Sequence, residues 1–278
     1  MSDSKRAAED FCDHFGIRPT RVDRDLLIAV GQAFARLPYE NITKLLKKHA
    51  AEPGAQRRRL PAEVLRDHVS LGAGGTCFAL TELFAVVLHR FGYQAWPVLC
   101  DTRHRAANHC ALIVGDAQQG LMLLDPGYLL HEPVSLPQAG GPGEKMHGPT
   151  RLVLSGESGG HRVFDLHTYD TWRYRFRAAA VSPPEFEAAW DASFDWTMMD
   201  NIHLCAAHEQ GYAYVHGGKL RLRDATSKQT LNIRGNEPAA VAERFGMDED
   251  LVRRAYELVE RARQAASDHA PHREGDGE

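Results

Sequence analysis

Three residues, Cys77, His109 and Asp125, could together form a thiol nucleophile and the groups that activate it. A cysteine attacks a carbonyl carbon only as the thiolate, and both a helix N-terminus and a neighbouring imidazole favour that form. A carboxylate that accepts the other imidazole N–H fixes the tautomer of the ring and stabilises its charged form. This combination is typical of enzymes that work through a covalent acyl-cysteine.

Cys77 follows the glycine-rich segment Gly72-Ala73-Gly74-Gly75-Thr76. Apolar residues then recur at helical spacing up to Gly92, which predicts a helix that begins at or just after Cys77. Glycines let the backbone approach a substrate closely, and the free N–H groups of a helix start can face an oxyanion. A free cysteine is more often a small core residue, so the nucleophile hypothesis depends on the partners of Cys77.

Those partners lie at the ends of two apolar runs that predict neighbouring strands. His109 precedes Cys110–Val114, and Asp125 follows Leu121–Leu124. In an antiparallel hairpin the first residue of one strand lies near the last residue of the other, so the imidazole and the carboxylate are expected to meet. Strand alternation places His109 and Cys110 on opposite faces, which predicts that Cys110 does not share a site with His109. This alternation and the absence of a Cys-x-x-Cys spacing argue against a metal site.

The elements around these residues predict an α+β fold. Residues 25–37 and parts of 39–70 have helical spacing, and short apolar runs between 94 and 177 predict a small antiparallel barrel or curled sheet. The predicted strands are Ala95–Leu99, Cys110–Val114, Leu121–Leu124, Leu152–Leu154, Val163–Leu166 and Trp172–Phe176, with 137–143 as a long loop. A hairpin of Ala213–Val215 and Leu220–Leu222, helices at Glu237–Phe245 and Glu249–Ala265, and a frayed tail from Asp268 are expected to follow.

Composition excludes several classes of protein. The 278 residues are 43% hydrophobic and 25% charged, as in ordinary globular proteins. The formal charge of −4 argues against a nucleic-acid partner, and we interpret the one dense basic run, Arg57-Arg58-Arg59, as a solvated loop. No apolar leader and no membrane-spanning window are present, which predicts a cytoplasmic protein without a membrane partner. Five cysteines at irregular spacing predict reduced thiols.

The motifs resemble those of the arylamine N-acetyltransferase family, whose Cys-His-Asp core is shared with transglutaminase-like and papain-like enzymes. The resemblance covers most of the chain. It rests on Leu37-Pro38-Tyr39-Glu40-Asn41, on Gly74-Gly75-Thr76-Cys77-Phe78, on Asn108-His109 before an apolar strand, and on Asp125 ahead of a glycine, with weaker matches at 218–222 and 242–246.

The resemblance implies an N-terminal helical bundle over 1–92, a central antiparallel β-barrel over 93–185 that carries His109 and Asp125, and a C-terminal α/β lid over 186–278. Cys77 would be the acylated nucleophile, His109 its base and Asp125 the residue that orients His109. An acyl group would pass in a ping-pong reaction from acyl-coenzyme A, in particular acetyl-coenzyme A, to a small-molecule amine such as an arylamine or hydrazine, with no permanently bound cofactor. Substrate contacts are expected from Gly75, Thr76, Phe78 and Tyr128.

Three positions depart from the family pattern. Ala73 stands where the family usually has Arg, Thr76 where it has an aromatic residue, and Pro126 where it has Val. These departures leave two alternatives open. One is a thiol hydrolase, a transglutaminase-like amidase or an amide synthase that uses carrier-bound acyl thioesters. The other is a catalytically inactive descendant that binds a ligand.

Overall fold

The computed structural model describes residues 3–18, 21–52, 55–116, 120–138, 140–141, 143–169, 171–208, 211–224 and 226–268. The helices are α1 (Asp3–Phe15), α2 (Arg24–Phe34), α3 (Ile42–Ala50), α4 (Pro61–Leu71), α5 (Cys77–Arg90), α6 (Pro183–Ala192), α7 (Glu237–Phe245) and α8 (Glu249–Asp268). The strands are β1 (Tyr39–Glu40), β2 (Gln94–Thr102), β3 (His109–Asp116), β4 (Gly120–Asp125), β5 (Leu130–Ser135), β6 (Glu144–His147), β7 (Thr150–Ser158), β8 (His161–Thr168), β9 (Thr171–Arg177), β10 (Leu204–His208), β11 (Gly211–His216), β12 (Lys219–Arg223) and β13 (Lys228–Asn232).

Helix α5 is the centre of the N-terminal part. Ten of its fourteen residues are buried, because α1, α2 and α4 pack on one side and strands β2 and β3 on the other. A helix that is apolar on nearly all sides is stable only inside a core. Its first residue, Cys77, is therefore fixed in position by packing along the whole length of the helix.

Strands β2 to β9 form one antiparallel sheet in the order β5-β4-β3-β2-β9-β8-β7-β6. Its edge strands, β5 and β6, approach each other, so the sheet curls into a nearly closed barrel. Ala111 and Ile113 of β3 point into the barrel core, whereas Cys110, Leu112 and Val114 pack with α5 in the helical core. Because the side chains of β3 alternate between its two faces, the strand belongs to both cores. Helix α5 packs against the end of β3 where His109 lies.

A second sheet has the order β1-β10-β11-β12-β13 and packs against α3, α7 and α8. Its edge strand β1 comes from the N-terminal part of the chain, where Tyr39 pairs with Cys205 and Glu40 with Leu204. The C-terminal sheet is therefore connected through β1 to the glycine-rich nucleophile loop, residues 72–76, because Tyr39 bridges to Gly75.

The predicted α+β fold of a helical part, an antiparallel barrel and a C-terminal sheet with helices is confirmed. All six predicted barrel strands are present, and the Gly217-Gly218 hairpin joins β11 to β12. Helices α1 and α6 and strands β1, β5, β6, β10 and β13 were missed. Residues 139 and 142 of the predicted long loop and 269–278 of the predicted frayed tail lie outside the described residues. The boundaries at 92/93 and 185/186 stay a prediction.

Among the helices that the structure describes, none combines the length and apolar character needed to cross a membrane.

Candidate active site

The nucleophile loop lies directly against strand β1. Gly75 N donates to Pro38 O at 3.2 Å, and Glu40 N donates to Gly75 O at 3.0 Å. A Cβ at Gly74 would stand 1.8 Å from Pro38 O, so only glycine permits this approach. The glycine-rich segment therefore fixes the loop against its support and delivers Cys77 as the first residue of α5, with Thr76 as N-cap.

Arg59 supports the same loop from the segment before α4. Its side chain is buried, with 2% exposed. Nη1 donates to Gly74 O at 2.6 Å and lies 3.6 Å from Glu40 Oε1, while Nη2 donates to Asp67 Oδ2 at 2.8 Å. The interpretation of the basic run as a solvated loop is wrong for Arg59, since the carboxylates of Glu40, Glu63 and Asp67 and a carbonyl replace its hydration. The guanidinium of Arg59 thus contacts the loop, although the loop has Ala73 at the position where the family pattern usually has arginine.

The structure brings Cys77, His109 and Asp125 together. Their exposed fractions are 5%, 6% and 0%. His109 Nε2 lies 2.8 Å from Asp125 Oδ2, which leaves Nδ1 as the ring nitrogen available to Cys77. Gly127 closes this arrangement, because a Cβ there would stand 2.7 Å from His109 Cε1 and 3.2 Å from Cys77 Cβ.

Asp125 receives donors on both of its oxygens. Oδ1 accepts from Gly127 N at 2.9 Å and from Tyr128 N at 3.1 Å, while Oδ2 accepts from His109 and from the Tyr174 hydroxyl at 2.6 Å. The first two bonds close a short 3-10 turn that begins at Pro126. A proline tolerates the first position of such a turn because no N–H is needed there. Pro126 therefore leaves the position of Asp125 intact.

The electrostatic environment favours an ion pair between Cys77 and His109. Burial opposes a charge on His109, but the charge and hydrogen bond of Asp125, together with Cys77, raise its pKa to about 10. The pKa of Cys77 is lowered well below its ordinary value, first by a hydrogen bond from Cys110 and then by the hydrogen bond and charge of His109, all against the effect of burial. A thiolate beside an imidazolium is the reactive form of a cysteine nucleophile.

Lys44 adds a further positive charge near the thiol. Its ammonium group is buried, donates to Ser193 O at 2.9 Å and lies 4.5 Å from the centre of the Phe194 ring. Burial lowers the pKa of Lys44 to about 8, and its charge helps to lower the pKa of Cys77. This contact could not be predicted from the sequence, because the lysine lies on an amphipathic helix where lysines are commonly solvated.

The prediction that Cys110 shares no site with His109 is wrong. The two side chains do leave β3 on opposite faces, but Cys77 lies over the beginning of the strand, where both Cys110 and His109 lower the pKa of its thiol. Alternation fixes the direction of each side chain and does not prevent a third residue at the strand end from contacting both. Cys110 therefore lies in the same buried cluster as Cys77, close to the imidazole of His109, its neighbour in sequence.

The residues predicted to contact substrate occupy different environments. Thr76 is buried in the nucleophile loop beside Gly75, and Phe78 is fully buried among the rings of Phe186, Trp190 and Trp196. Tyr128 is 37% exposed, and its ring centre lies 5.0 Å from that of His109. Of the four, Tyr128 is the side chain that solvent reaches beside the imidazole.

Tyr174 and Tyr39 belong to the same site and were not predicted. The Tyr174 ring lies 5.0 Å from His109, centre to centre, and Tyr39 packs against the core that contains Cys77. Tyr174 lies in a predicted strand, but its neighbours are set by the curling of the barrel. Tyr39 stands in the Leu37–Asn41 motif, which was a usable signal.

Cys12, Cys77, Cys100, Cys110 and Cys205 are free thiols. In the described ranges no three His, Cys, Asp or Glu side chains are arranged to hold a metal ion.

Comparison with known proteins gives one family and one fold. Residues 26–252 match a family profile described as N-acetyltransferase. No curated protein sequence matches the chain significantly. Among solved structures, the arylamine N-acetyltransferase of Mycobacterium abscessus is 18% identical, with a TM-score of 0.76 over 93% of this chain and 98% of that chain. That of Nocardia farcinica is 22% identical, with a TM-score of 0.71 over 87% and 89%.

A third structure shows variation in the catalytic carboxylate. The Bacillus cereus arylamine N-acetyltransferase, described as having a Cys-His-Glu catalytic triad, is 16% identical, with a TM-score of 0.65 over 89% of this chain and 100% of that chain. At these identities the likeness shows the shared fold alone.

Proposed function

Because the chain belongs to the arylamine N-acetyltransferase family, we propose that it transfers an acetyl group from acetyl-coenzyme A to an arylamine or hydrazine through an acetyl-Cys77 thioester. The observation that carries the proposal is the buried contact of Cys77 with His109, which is in turn held by Asp125 at 2.8 Å. A low-pKa thiol, a positioned base and an orienting carboxylate are the groups that such a transfer needs.

In the first half-reaction the Cys77 thiolate attacks the thioester carbonyl of the donor. The new C–S bond forms as the carbonyl π electrons move to oxygen, where the N–H groups at the start of α5 can stabilise the negative charge. When the carbonyl re-forms, the bond to the sulfur of coenzyme A breaks, and the proton on His109 accompanies the leaving thiolate. The products are acetyl-Cys77, free coenzyme A and a neutral imidazole.

In the second half-reaction the amine attacks acetyl-Cys77. His109 takes a proton from the amine nitrogen, a new C–N bond forms, and the bond to Cys77 sulfur breaks. The thiolate and the imidazolium are thereby restored. Asp125 keeps Nε2 protonated throughout, so that Nδ1 of His109 is the nitrogen that gives and takes the proton.

The polar face of the C-terminal sheet supports a phosphate-bearing donor. Pairing across β10, β11 and β12 aligns Cys205, Tyr214 and Arg221, and Cys205 also pairs with Tyr39 next to the nucleophile loop. Arg223 lies on the same face, with its guanidinium 3.9 Å from the centre of the Tyr169 ring. Within the described part of the chain neither arginine has a carboxylate within ion-pair distance, and both are only half-buried. Such arginines suit the phosphates of coenzyme A.

The proposal assigns substrate contacts to Gly75, Thr76, Phe78 and Tyr128. Tyr128 would border the acceptor through its exposed ring, and the backbone of Gly75 and Thr76 would face the acyl group. Phe78, fully buried, would act through the wall of aromatic rings that it supports.

The test is intact mass spectrometry of the protein after incubation with acetyl-coenzyme A and no amine. The expected result is one added acetyl group on Cys77 and release of one equivalent of coenzyme A, followed by steady turnover only when an arylamine or hydrazine is added. Cys77→Ala should show neither the adduct nor turnover, and Cys12→Ala, which removes a free thiol of α1 away from the triad, should show the adduct.

Three other outcomes would contradict the proposal. Continuous release of coenzyme A without an amine would indicate a thiol hydrolase, and acylation by carrier-bound thioesters but not by acetyl-coenzyme A would indicate an amide synthase. A Cys77 that neither acylates nor reacts with iodoacetamide faster than a free thiol would indicate an inactive descendant.

A further inference from the structure

Cys110 is a second thiol in the active site and has no part in the reaction described above. It is fully buried, follows His109 in β3, and leaves the strand on the face that packs against α5. Its S–H donates to the Thr81 hydroxyl oxygen, 3.6 Å away, and its side chain packs in the same buried cluster as Cys77. Cys77 and Thr81 are four residues apart in α5 and therefore lie on one face of the helix, with Cys110 opposite them.

The single S–H proton of Cys110 can point to Thr81 or to Cys77, but not to both at once. When Cys77 is a neutral thiol, the Cys110 S–H donates to Thr81. When Cys77 is a thiolate, its full negative charge makes it the stronger acceptor, because hydrogen bonds to ionised groups are about twice as strong as those between neutral groups. The Thr81 hydroxyl can then rotate and donate to Cys110 sulfur, so both hydroxyl and thiol stay bonded in the buried site.

We propose that Cys110 is a positioning residue that donates its S–H to the Cys77 thiolate and holds the sulfur between two donors, Cys110 on one side and His109 on the other. The inference rests on the proposed function in that it takes Cys77 to be the nucleophile. A buried thiolate with one donor could rotate about its Cα–Cβ bond. Two donors stabilise its negative charge and also hold the sulfur in one orientation.

Other ionisable groups also surround Cys77, and the effect of Cys110 adds to theirs. They come from every element packed around the thiol, namely Tyr39 (β1), Lys44 (α3), Cys100 (β2), His109 (β3), Asp125 (β4) and Tyr128 (the turn after β4). Of these, His109 and Lys44 favour the thiolate through their positive charges. The contribution of Cys110 is distinct because it is a neutral donor, and it can be removed without changing any charge.

The experiment measures the rate of Cys77 alkylation by iodoacetamide from about pH 4 to about pH 9, with the modified residue located by peptide mapping. In Cys110→Ala the midpoint of the thiolate titration should rise, so that alkylation below the midpoint is about tenfold slower, equivalent to about 1.4 kcal/mol. Cys110→Ser keeps a donor in place of the thiol and should recover at least half of that shift. The pH profile of acetyl transfer should move in the same direction in both variants.

Cys100→Ala is the matched control, because Cys100 is also a fully buried thiol and pairs with His109 across the sheet, but belongs to the barrel core on the other face. It should leave the titration midpoint unchanged. If Cys110→Ala does not fold, Cys110→Val, which fills the space without donating, takes its place. An unchanged midpoint in the folded Ala or Val variant, or one shifted equally by Cys100→Ala, would overturn the proposal.

Alkylation requires neither donor nor acceptor, so the two proposals can fail separately. A wild-type Cys77 that titrates like a free thiol would refute the proposed function as well. A low wild-type midpoint that Cys110→Ala leaves in place would refute only the role of Cys110.

Discussion

At the scale of single residues, the carboxylate of Asp125 has the most fully specified surroundings in the site. The local sequence predicts one donor to it, the His109 ring across the hairpin, and the structure adds the N–H groups of Gly127 and Tyr128. The fourth donor, Tyr174, is 49 residues further along the chain and comes from a strand that reaches Asp125 through the interior of the barrel. Its ring also packs on His109, so it fixes the carboxylate and the imidazole together.

Tyr174→Phe tests this contact while keeping the packing of the ring. A hydrogen bond to a charged group contributes about 1.5–3 kcal/mol, so we expect the free energy of unfolding to fall by about that amount and acetyl transfer to slow several-fold. Urea unfolding and initial rates measure the two effects. Tyr128→Phe is the control for stability, because the Tyr128 side chain is partly exposed and has no hydrogen bond to Asp125. Equal unfolding free energies in wild type and Tyr174→Phe would contradict the role of the phenol.

At the scale of elements, helices and strands with a periodic apolar pattern could be predicted from the sequence, whereas strands without an apolar face could not. The six barrel strands and α5 follow from periodicity. Strand β13 is fully exposed and has no apolar face, and β6 carries Glu144, Lys145 and His147, so neither has a pattern that local sequence could show. The triad was predictable because hairpin pairing alone brings His109 to Asp125, whereas Cys110, Lys44 and Arg59 reach the site through packing between elements.

Arg59 is the contact that connects the segment before α4 to the nucleophile loop. Removing its guanidinium leaves the buried Glu40 carboxylate without its cation, which typically costs about 3–5 kcal/mol. Arg59→Met should therefore lower the unfolding free energy by about that amount and also slow iodoacetamide alkylation of Cys77, since the loop loses the donor to Gly74 O. Arg59→Lys should be intermediate, because an ammonium group cannot bond the carbonyl and all three carboxylates at once.

Arg66→Met provides the control for Arg59. Arg66 pairs with the same carboxylate, Asp67, at 3.0 Å, but 68% of its side chain is exposed to solvent. Exposed ion pairs contribute at most about 1 kcal/mol, so this variant should stay within that range in urea unfolding. Comparable losses in the Arg59 and Arg66 variants would mean that burial of the guanidinium is not what stabilises the loop.

At the scale of the whole molecule, the site depends on the contacts between three hydrophobic cores. The helical and barrel cores share β3, because its two faces belong to different cores. The C-terminal core is joined to them at β1 and at Asn41, the N-cap position of α3. Asn41 Nδ2 donates to Met198 O at 3.0 Å and to Asn201 O at 2.8 Å, and Oδ1 accepts from His203 N at 2.8 Å. One buried amide thus satisfies three backbone groups of the segment that leads into β10.

Asn41→Asp keeps the shape of this side chain but replaces two donors with an acceptor facing two carbonyl oxygens. The buried charge has no partner there, so we expect the segment around Met198 and the sheet that follows to separate from β1 and to open at lower denaturant than the barrel. Hydrogen exchange measured by mass spectrometry should show faster exchange over β10–β12, with little change in β7 and β8. Asn232→Ala, at an exposed position of β13 in the same sheet, should leave exchange over β10–β12 unchanged. If Asn41→Asp instead speeds exchange equally in both sheets, the three cores form one cooperative unit, and the amide is not the specific connection between the C-terminal sheet and the nucleophile loop.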